Sequence, residues 1–369
     1  MIGKDEIGNL LEKYDAEKVH IGCIGSHSAL EIAYGAHKEG FRTVTVCQKG
    51  REKTYTTHYR SLFDEILVLD EFSNIINSDT VEKLQELSTV FVPNRSFAVY
   101  VGYDNIENKF TVPIFGSRSL LRAEERDVEK NQFYLLEKAG LDYPRRFYNP
   151  KDIDRLVMVK VGHAKKKVER GFFTCDSYSS FVSRSNELIG KGIISKEDLE
   201  KARIEEFVVG ALFNLDYFYA PVKDEVDFLG VDQRIETDIE GILHMTAAEQ
   251  MRISVQEQEK EYIPIGHRGI TVRESQLEKV FDMGEKFVGA TKKEYPPGII
   301  GPFALQGVFT KDLKFYTFDV SLRVPGAPIL LTTSPYMIYK HGFQFSVGRR
   351  IAMEIKAGIE TNKLDICVT

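Results

Sequence analysis

The chain is 369 residues long, 43% hydrophobic and 28% charged, with 49 basic side chains against 55 acidic ones and a formal net charge of -6. This is the composition of a globular protein of two or three packed units; lacking a basic excess, it excludes a general nucleic-acid coat but leaves room for a local basic pocket. No run reaches the ~18 apolar residues needed to span a bilayer, so no membrane partner is expected either.

Residues 1–15 predict a short charged helix, with none of a signal peptide's apolar stretch. An apolar strand follows over 19–24 and runs into Gly25-Ser26-His27-Ser28, small residues suited to opening the helix predicted over 29–38. A second strand over 42–47 completes a βαβ unit, and 66–69 and 90–92 add further strands, so the first 120 or so residues predict a Rossmann-like lobe with a parallel sheet. Cys23 and Cys47 lie in these apolar strands. With Cys175 and Cys367 they form no CxxC pair, so buried free thiols in a reducing cytoplasm are expected, and a zinc site is not.

Ligands bind such sheets at the carboxyl ends of the strands. Three turns fall there: Gly25-Ser26-His27-Ser28, Lys49-Gly50-Arg51 and Asn94-Arg95-Ser96. Together they offer helix N-terminal N–H groups, cations and hydroxyls, a cradle for phosphate. GxGxxG is absent after the first strand, which argues against a standard dinucleotide site.

The pattern over 124–139 predicts one amphipathic helix. A strand over 156–161 carries Lys160 and leads into the basic, glycine-flanked turn of residues 162–171, with Lys165, Lys166 and Lys167 at its centre. That turn reads either as a lid over a triphosphate or as a solvated charged loop. Helices are expected over 180–189 and 196–202. Ile204-Glu205-Glu206-Phe207-Val208-Val209-Gly210 then opens a strand-rich region, with antiparallel strands over 212–219, 225–232 and 236–243. Leu277, Val280, Phe281 and Val288 recur at helical spacing, and Pro296-Pro297-Gly298 ends that helix.

Two oxygen-bearing strands come next, the first ending in Gln306 and the second reading Thr317-Phe318-Asp319-Val320-Ser321-Leu322-Arg323. Alternation along a strand turns Asp319, Ser321 and Arg323 to one face. A carboxylate, a hydroxyl and a guanidinium there suit a magnesium-bound polyphosphate. The plain alternative is a polar strand face turned to water. A closing helix is predicted over 351–359.

This order of parts resembles the ATP-grasp ligases and, within them, the archaeal formate-dependent AICAR ligase family, also called FAICAR synthetase. The resemblance runs over essentially the whole chain. Its most specific blocks are Ile24-Gly25-Ser26-His27-Ser28, Lys49-Gly50-Arg51, Ile204 to Gly210, Val272-Arg273-Glu274-Ser275, Gly301-Pro302-Phe303 and Asp319-Val320-Ser321-Leu322-Arg323. It implies an α/β and α+β chain in which a Rossmann-like domain over 1–122 precedes a small ATP-grasp lid domain over 123–203 and a large catalytic domain over 204–369.

The resemblance also implies roles. His27 and Ser96 match positions that contact the aminoimidazole ribonucleotide, and Lys49, Arg51 and His267 are expected beside them. Lys160 would reach the ATP phosphates, Glu205, Glu206, Phe207 and Val208 would hold adenine and ribose, and Glu236 would add a nucleotide contact. Gln306 and Asp319 match the two magnesium positions, with manganese as an alternative ion, and His27 and Arg323 are the expected catalytic side chains. The implied reaction joins formate to AICAR with ATP, giving FAICAR, ADP and phosphate in purine (IMP) synthesis, and the implied assembly is a cytoplasmic homo-oligomer. His27 also has a plainer reading, as a helix-start residue that caps backbone groups.

The chain departs from the family pattern in the lysine-rich hairpin, in Val324-Pro325-Gly326-Ala327-Pro328-Ile329, in Ser321, and in His267, which replaces an asparagine facing the aminoimidazole. Two other expectations therefore stand beside the first: an ATP-grasp paralogue joining a different acid and amine, and a nucleotide-binding protein without turnover.

Overall fold

The computed structural model describes residues 2–161, 172–237, 239–250 and 263–369. The lysine-rich turn of residues 162–171 lies outside the described residues. Three sheets organise the rest.

The first is wholly parallel, in the order β3-β2-β1-β4, from β1 (His20–Ile24), β2 (Arg42–Gln48), β3 (Glu65–Leu69) and β4 (Thr89–Phe91). All five residues of β1 are buried, as an interior strand between covering layers requires. The helix Ala29–Lys38 follows it directly, so the βαβ expectation holds within a residue or two. All four cysteines are free and buried.

The second sheet is small and antiparallel, in the order β5-β8-β6-β7, from β5 (Arg146–Phe147), β6 (Val157–Lys160), β7 (Phe172–Cys175) and β8 (Arg203–Glu206). One face carries Phe147, Val157, Val159, Phe173 and Ile204, which pack with Phe181 of the helix Tyr178–Gly190 into a core separate from the rest. Alternation turns Arg146, Lys160, Arg203 and Glu205 to the other face. Residues 204–206 therefore pair within the small sheet, whereas the sequence reading places them at the start of the large one.

The third sheet is antiparallel, in the order β11-β10-β9-β12-β13, from β9 (Ala211–Ala220), β10 (Glu225–Glu236), β11 (Pro264–Ile270), β12 (Gly301–Phe309) and β13 (Phe315–Ser321). Leu215, Tyr217, Val231, Phe303, Leu305 and Val320 form its apolar face, packed with Val280 and Phe287 of the helix Leu277–Glu294. The closing helix Val347–Glu360 runs back onto Ala29–Lys38. The two cross so closely that a Cβ on Gly35 would lie 2.1 Å from the Arg349 nitrogen, and one on Gly348 would lie 2.2 Å from the Glu31 carbonyl. The first and third sheets thereby share one core.

Three further expectations are corrected. The helix predicted over 124–139 is a 3-10 turn at Leu121–Glu124, an irregular run, and a helix only at Gln132–Lys138. Asn131 starts that helix by accepting the Phe133 and Tyr134 N–H groups at 2.9 and 3.2 Å. The strand predicted over 236–243 is a helix at Ile239–Leu243, because the β10 ladder ends where Glu236 faces Pro264, which has no N–H to donate. Arg323 lies beyond the end of β13, so its direction comes from Glu124 and not from strand alternation.

Candidate active site

The polar face of the large sheet is a continuous row. Gln306 on β12 stands opposite Asp319 on β13 and opposite Asn214 on β9; Asn214 faces Asp232 on β10; Arg234 faces His267 on β11. The alternation that buries Leu305 and Leu215 below forces these residues to the upper side.

Gln306 is 4% exposed and donates its amide to Ser321 Oγ at 3.0 Å, leaving its own Oε1 buried without a donor. The Asp319 carboxylate, opposite, is one-third exposed and lies 3.7 Å from Arg126. An unpartnered buried carbonyl oxygen beside a carboxylate fits a hard divalent cation. Among the described residues no three His, Cys, Asp or Glu side chains gather to hold a metal. Two protein oxygens, with phosphate oxygens and water completing the shell, are what a magnesium–nucleotide site needs.

Lys160 and Glu205 project from the facing side of the small sheet, with Lys160 Nζ 2.5 Å from Glu205 Oε2. Arg126 bridges the two lobes, 3.9 Å from Glu205 and 3.7 Å from Asp319. A cleft of about 720 Å³ adjoins it, lined by Arg126, Arg146, Arg203 and Glu205 among others. Glu206 points the other way and takes the Arg145 N–H and Arg155, each at 3.3 Å. Phe207 is anchored through its N–H to the Leu156 carbonyl at 2.9 Å, and Val208 follows half-buried. Glu236 lies at the end of β10, opposite Pro264, and no contact ties it to Lys160 or Glu205.

The turn after β1 forms the third wall. Asn94 donates to the carbonyls of Ile24 and Ser26 at 3.2 and 3.0 Å, and Ser96 Oγ lies 2.8 Å from Ser26 Oγ. The two turns are thus locked together. His27 adopts the left-handed conformation (φ 50°), with Nδ1 2.8 Å from Ser28 Oγ, which in turn donates to the Pro325 carbonyl at 3.2 Å. The residue as a whole remains exposed. Desolvation by the surrounding protein lowers its pKa to about 4, with Arg323, His267, Arg95 and Arg234 adding to the effect. Four other basic side chains therefore surround His27.

Glu124 organises part of that group. It is buried, accepts the Leu322 N–H at 2.6 Å, and lies 3.4 Å from Arg323 and 3.2 Å from Arg95. Burial raises its pKa, and Arg323 pulls it back. His267 reaches the same space. A Cβ on Gly326 would meet His27 Cε1 at 3.0 Å, His27 Nε2 at 3.1 Å and His267 Nε2 at 3.8 Å, so both imidazoles face one point. Lys49 and Arg51 do not join this group by any contact. Lys49 lies 3.7 Å from Asp70 at the surface, and Arg51 lies over the rings of Phe72 and Tyr100.

His27, Ser96, His267 and Arg323 are thus brought together, as are Lys160 with Glu205 and Gln306 with Asp319. Sequence reasoning places Arg95 only within a phosphate cradle and misses Glu124, Arg126, Asp216, Asp232 and Arg234. An acid between Leu215 and Tyr217 in an apolar strand is the one signal that would have exposed Asp216.

Comparisons with known proteins fit this geometry. Two families match, one described as "Domain of unknown function (DUF1297)" over residues 180–369 and one as "Protein of unknown function (DUF1246)" over residues 21–147. The chain is 42% identical over 372 residues to a 5-formaminoimidazole-4-carboxamide-1-(beta)-D-ribofuranosyl 5'-monophosphate synthetase of Methanopyrus kandleri, covering 100% of both chains. A crystal structure of an IMP biosynthesis protein PurP from Thermococcus kodakaraensis superposes with a TM-score of 0.71 at 27% identity, over 95% of this chain and 100% of that one. An ADP complex of N5-carboxyaminoimidazole ribonucleotide synthetase superposes at 0.54 with 13% identity, over 85% of this chain and 72% of that one, a likeness of fold alone.

Proposed function

The chain belongs to the family of archaeal 5-formaminoimidazole-4-carboxamide-1-(beta)-D-ribofuranosyl 5'-monophosphate synthetases, and from that membership we infer that it is an ATP-dependent ligase of purine biosynthesis, formylating AICAR with formate. The observation that carries the reading at the site is the unpartnered Gln306 oxygen set against Asp319, with Lys160 and Glu205 across the cleft.

Formate is a poor acyl donor until one of its oxygens can leave as phosphate. A formate oxygen attacks the γ-phosphorus of ATP, ADP leaves, and formyl phosphate forms. The exocyclic amine of AICAR then attacks the formyl carbon, phosphate departs and the amine loses a proton. The first step is mostly positioning and charge neutralisation. Lys160 would reach the phosphates, and Glu205, Phe207 and Val208 would hold the adenosine. The contacts of Glu206 and Glu236 give no support for placing them with the nucleotide. Mg²⁺, with Mn²⁺ as the alternative, would be held by Gln306 and Asp319 and would neutralise phosphoryl charge.

Arg323, held beside Glu124, would stabilise the transferring phosphoryl and the departing phosphate. His27 and Ser96, on the locked turns, would hold the acceptor together with His267. Arg95 and Arg234 add positive charge suited to its phosphate. The contacts of Lys49 and Arg51 give no support for placing them in the acceptor site. No helix among the described residues is long and apolar enough to cross a membrane, and we take the enzyme to be cytoplasmic and homo-oligomeric, as the family resemblance implies.

Carbon-13 NMR with labelled formate tests the reading. A formamide carbon on the AICAR amine is expected, and label that stays in formate while ATP is consumed with another amine would redirect it.

A further inference from the structure

Behind His267 lie two buried acids to which the reaction as described assigns no task. His267 Nδ1 is hydrogen-bonded to Asp232 Oδ2, whose side chain is 2% exposed and whose same oxygen accepts Asn214 Nδ2 at 3.1 Å. Asp216, on the neighbouring strand, is wholly buried, and neither of its oxygens has a donor. Two facing carboxylates would be two acceptors with no donor between them, a costly arrangement in a dry interior. One proton resolves it. Burial, and then Asp232, raise Asp216 far above the usual carboxylate range, which favours the neutral acid beside the Asp232 carboxylate.

That arrangement settles the tautomer of His267. With Nδ1–H donated to the Asp232 carboxylate, Nε2 carries a lone pair, and it is Nε2 that faces the point above Gly326 shared with His27. The two imidazoles are not equivalent. His27 has a hydroxyl behind it, and desolvation together with the cations around it leaves it a weak base. His267 has an anion behind it.

We propose that His267 takes the proton from the attacking amine of AICAR, with Asp232 and the protonated Asp216 as the positioning residues behind it. The proposal rests on the acceptor reading given above. As the amine nitrogen bonds to the formyl carbon, the carbon–oxygen bond to phosphate breaks and the phosphate leaves with that electron pair. One N–H proton passes to His267 Nε2, and the imidazolium is held by Asp232. The proton is then released to solvent, and Asp216 keeps its own throughout. The charged and titratable groups facing the pair are Arg234 and Asp232 from β10, Asp216 from β9, Arg323 beyond β13, Glu31 from the helix Ala29–Lys38, and His27 and Arg95 from the first lobe.

The test is the pH dependence of AICAR formylation by the full-length enzyme, compared with H267Q and D232N. His267 is partly exposed, so H267Q is expected to fold. The proposal predicts a loss of about 100-fold or more in kcat for H267Q, with KM for AICAR within about threefold and the acid limb of the profile flattened. D232N removes the anion that holds the ring, so kcat is expected to fall there too, with KM for AICAR little changed. If the wild type formylates AICAR and H267Q keeps its kcat and acid limb, or changes only KM, the acceptor reading stands and the proton-acceptor role falls. If the wild type does not formylate AICAR, both fall.

Discussion

Gln306 and Asp319 stand directly opposite each other on adjacent antiparallel strands, and the Gln306 carbonyl oxygen is buried with nothing donating to it. An unsatisfied buried oxygen costs on the order of 1–3 kcal/mol, so its persistence suggests that a cation completes it in the working enzyme. Asp319→Ala is expected to lower kcat by about 100-fold or more while the melting temperature barely moves, since the Asp319 side chain is one-third exposed. Chelation of divalent ions should do the same to the wild type. Near-normal rates in the variant would remove Asp319 from the metal site.

Much of this arrangement is legible in the sequence. β1 reads as an interior strand because an unbroken apolar run needs cover on both faces, and Gln306 and Asp319 stand out because oxygen-bearing side chains interrupt strands at matching places. Glu124 is not legible. Charged residues at helical spacing read as a solvated face, yet its burial depends on Leu322 and Arg323, some 200 positions away, closing over it. The same holds for Arg126, whose partners Glu205 and Asp319 come from two different sheets. Local pattern shows which face a residue takes within its own element. It does not show which distant element will cover that face.

Lys160 and Glu205 form a close pair on the open face of the small sheet. Removing the ammonium leaves Glu205 still near Arg126, so the fold should tolerate Lys160→Ala. The expected effect is a rise of about tenfold or more in KM for ATP, with KM for AICAR little changed, read from steady-state kinetics with each substrate varied in turn. Equal increases in both constants would contradict the division of the cleft into nucleotide and acceptor sides.

Gly326 leaves open space between His27 and His267, where the acceptor is proposed to sit. A methyl group there would press on the His27 ring at 3.0–3.1 Å, and the ring is tethered through Ser28. Gly326→Ala should therefore raise KM for AICAR by about three- to tenfold and leave ATP binding intact, as measured by nucleotide titration. An unchanged AICAR response would place the acceptor elsewhere.

Glu31 links the N-terminal lobe to the closing helix by accepting the Val347 N–H at 2.9 Å, and burial raises its pKa from 4.5 to about 7. The folded state holds this proton more tightly than the unfolded chain does. Its stabilising contribution is therefore fully present below about pH 4.5 and is lost as pH rises through about 7. Glu31→Gln cannot ionise and keeps an acceptor for Val347. It should be more stable than the wild type at pH 8 by roughly 1–3 kcal/mol, with the gap closing near pH 5. Denaturant melts at the two pH values measure this, and a gap that is the same at both would mean that Glu31 does not titrate in this window.

The most direct measurement is an omission assay on the purified protein with ATP, Mg²⁺, formate and AICAR, following ADP and FAICAR together. The account predicts one FAICAR per ADP when all four are present, and no FAICAR when any one is left out. ATP turnover indifferent to AICAR, or tight ATP binding with no turnover in the complete mixture, would contradict it.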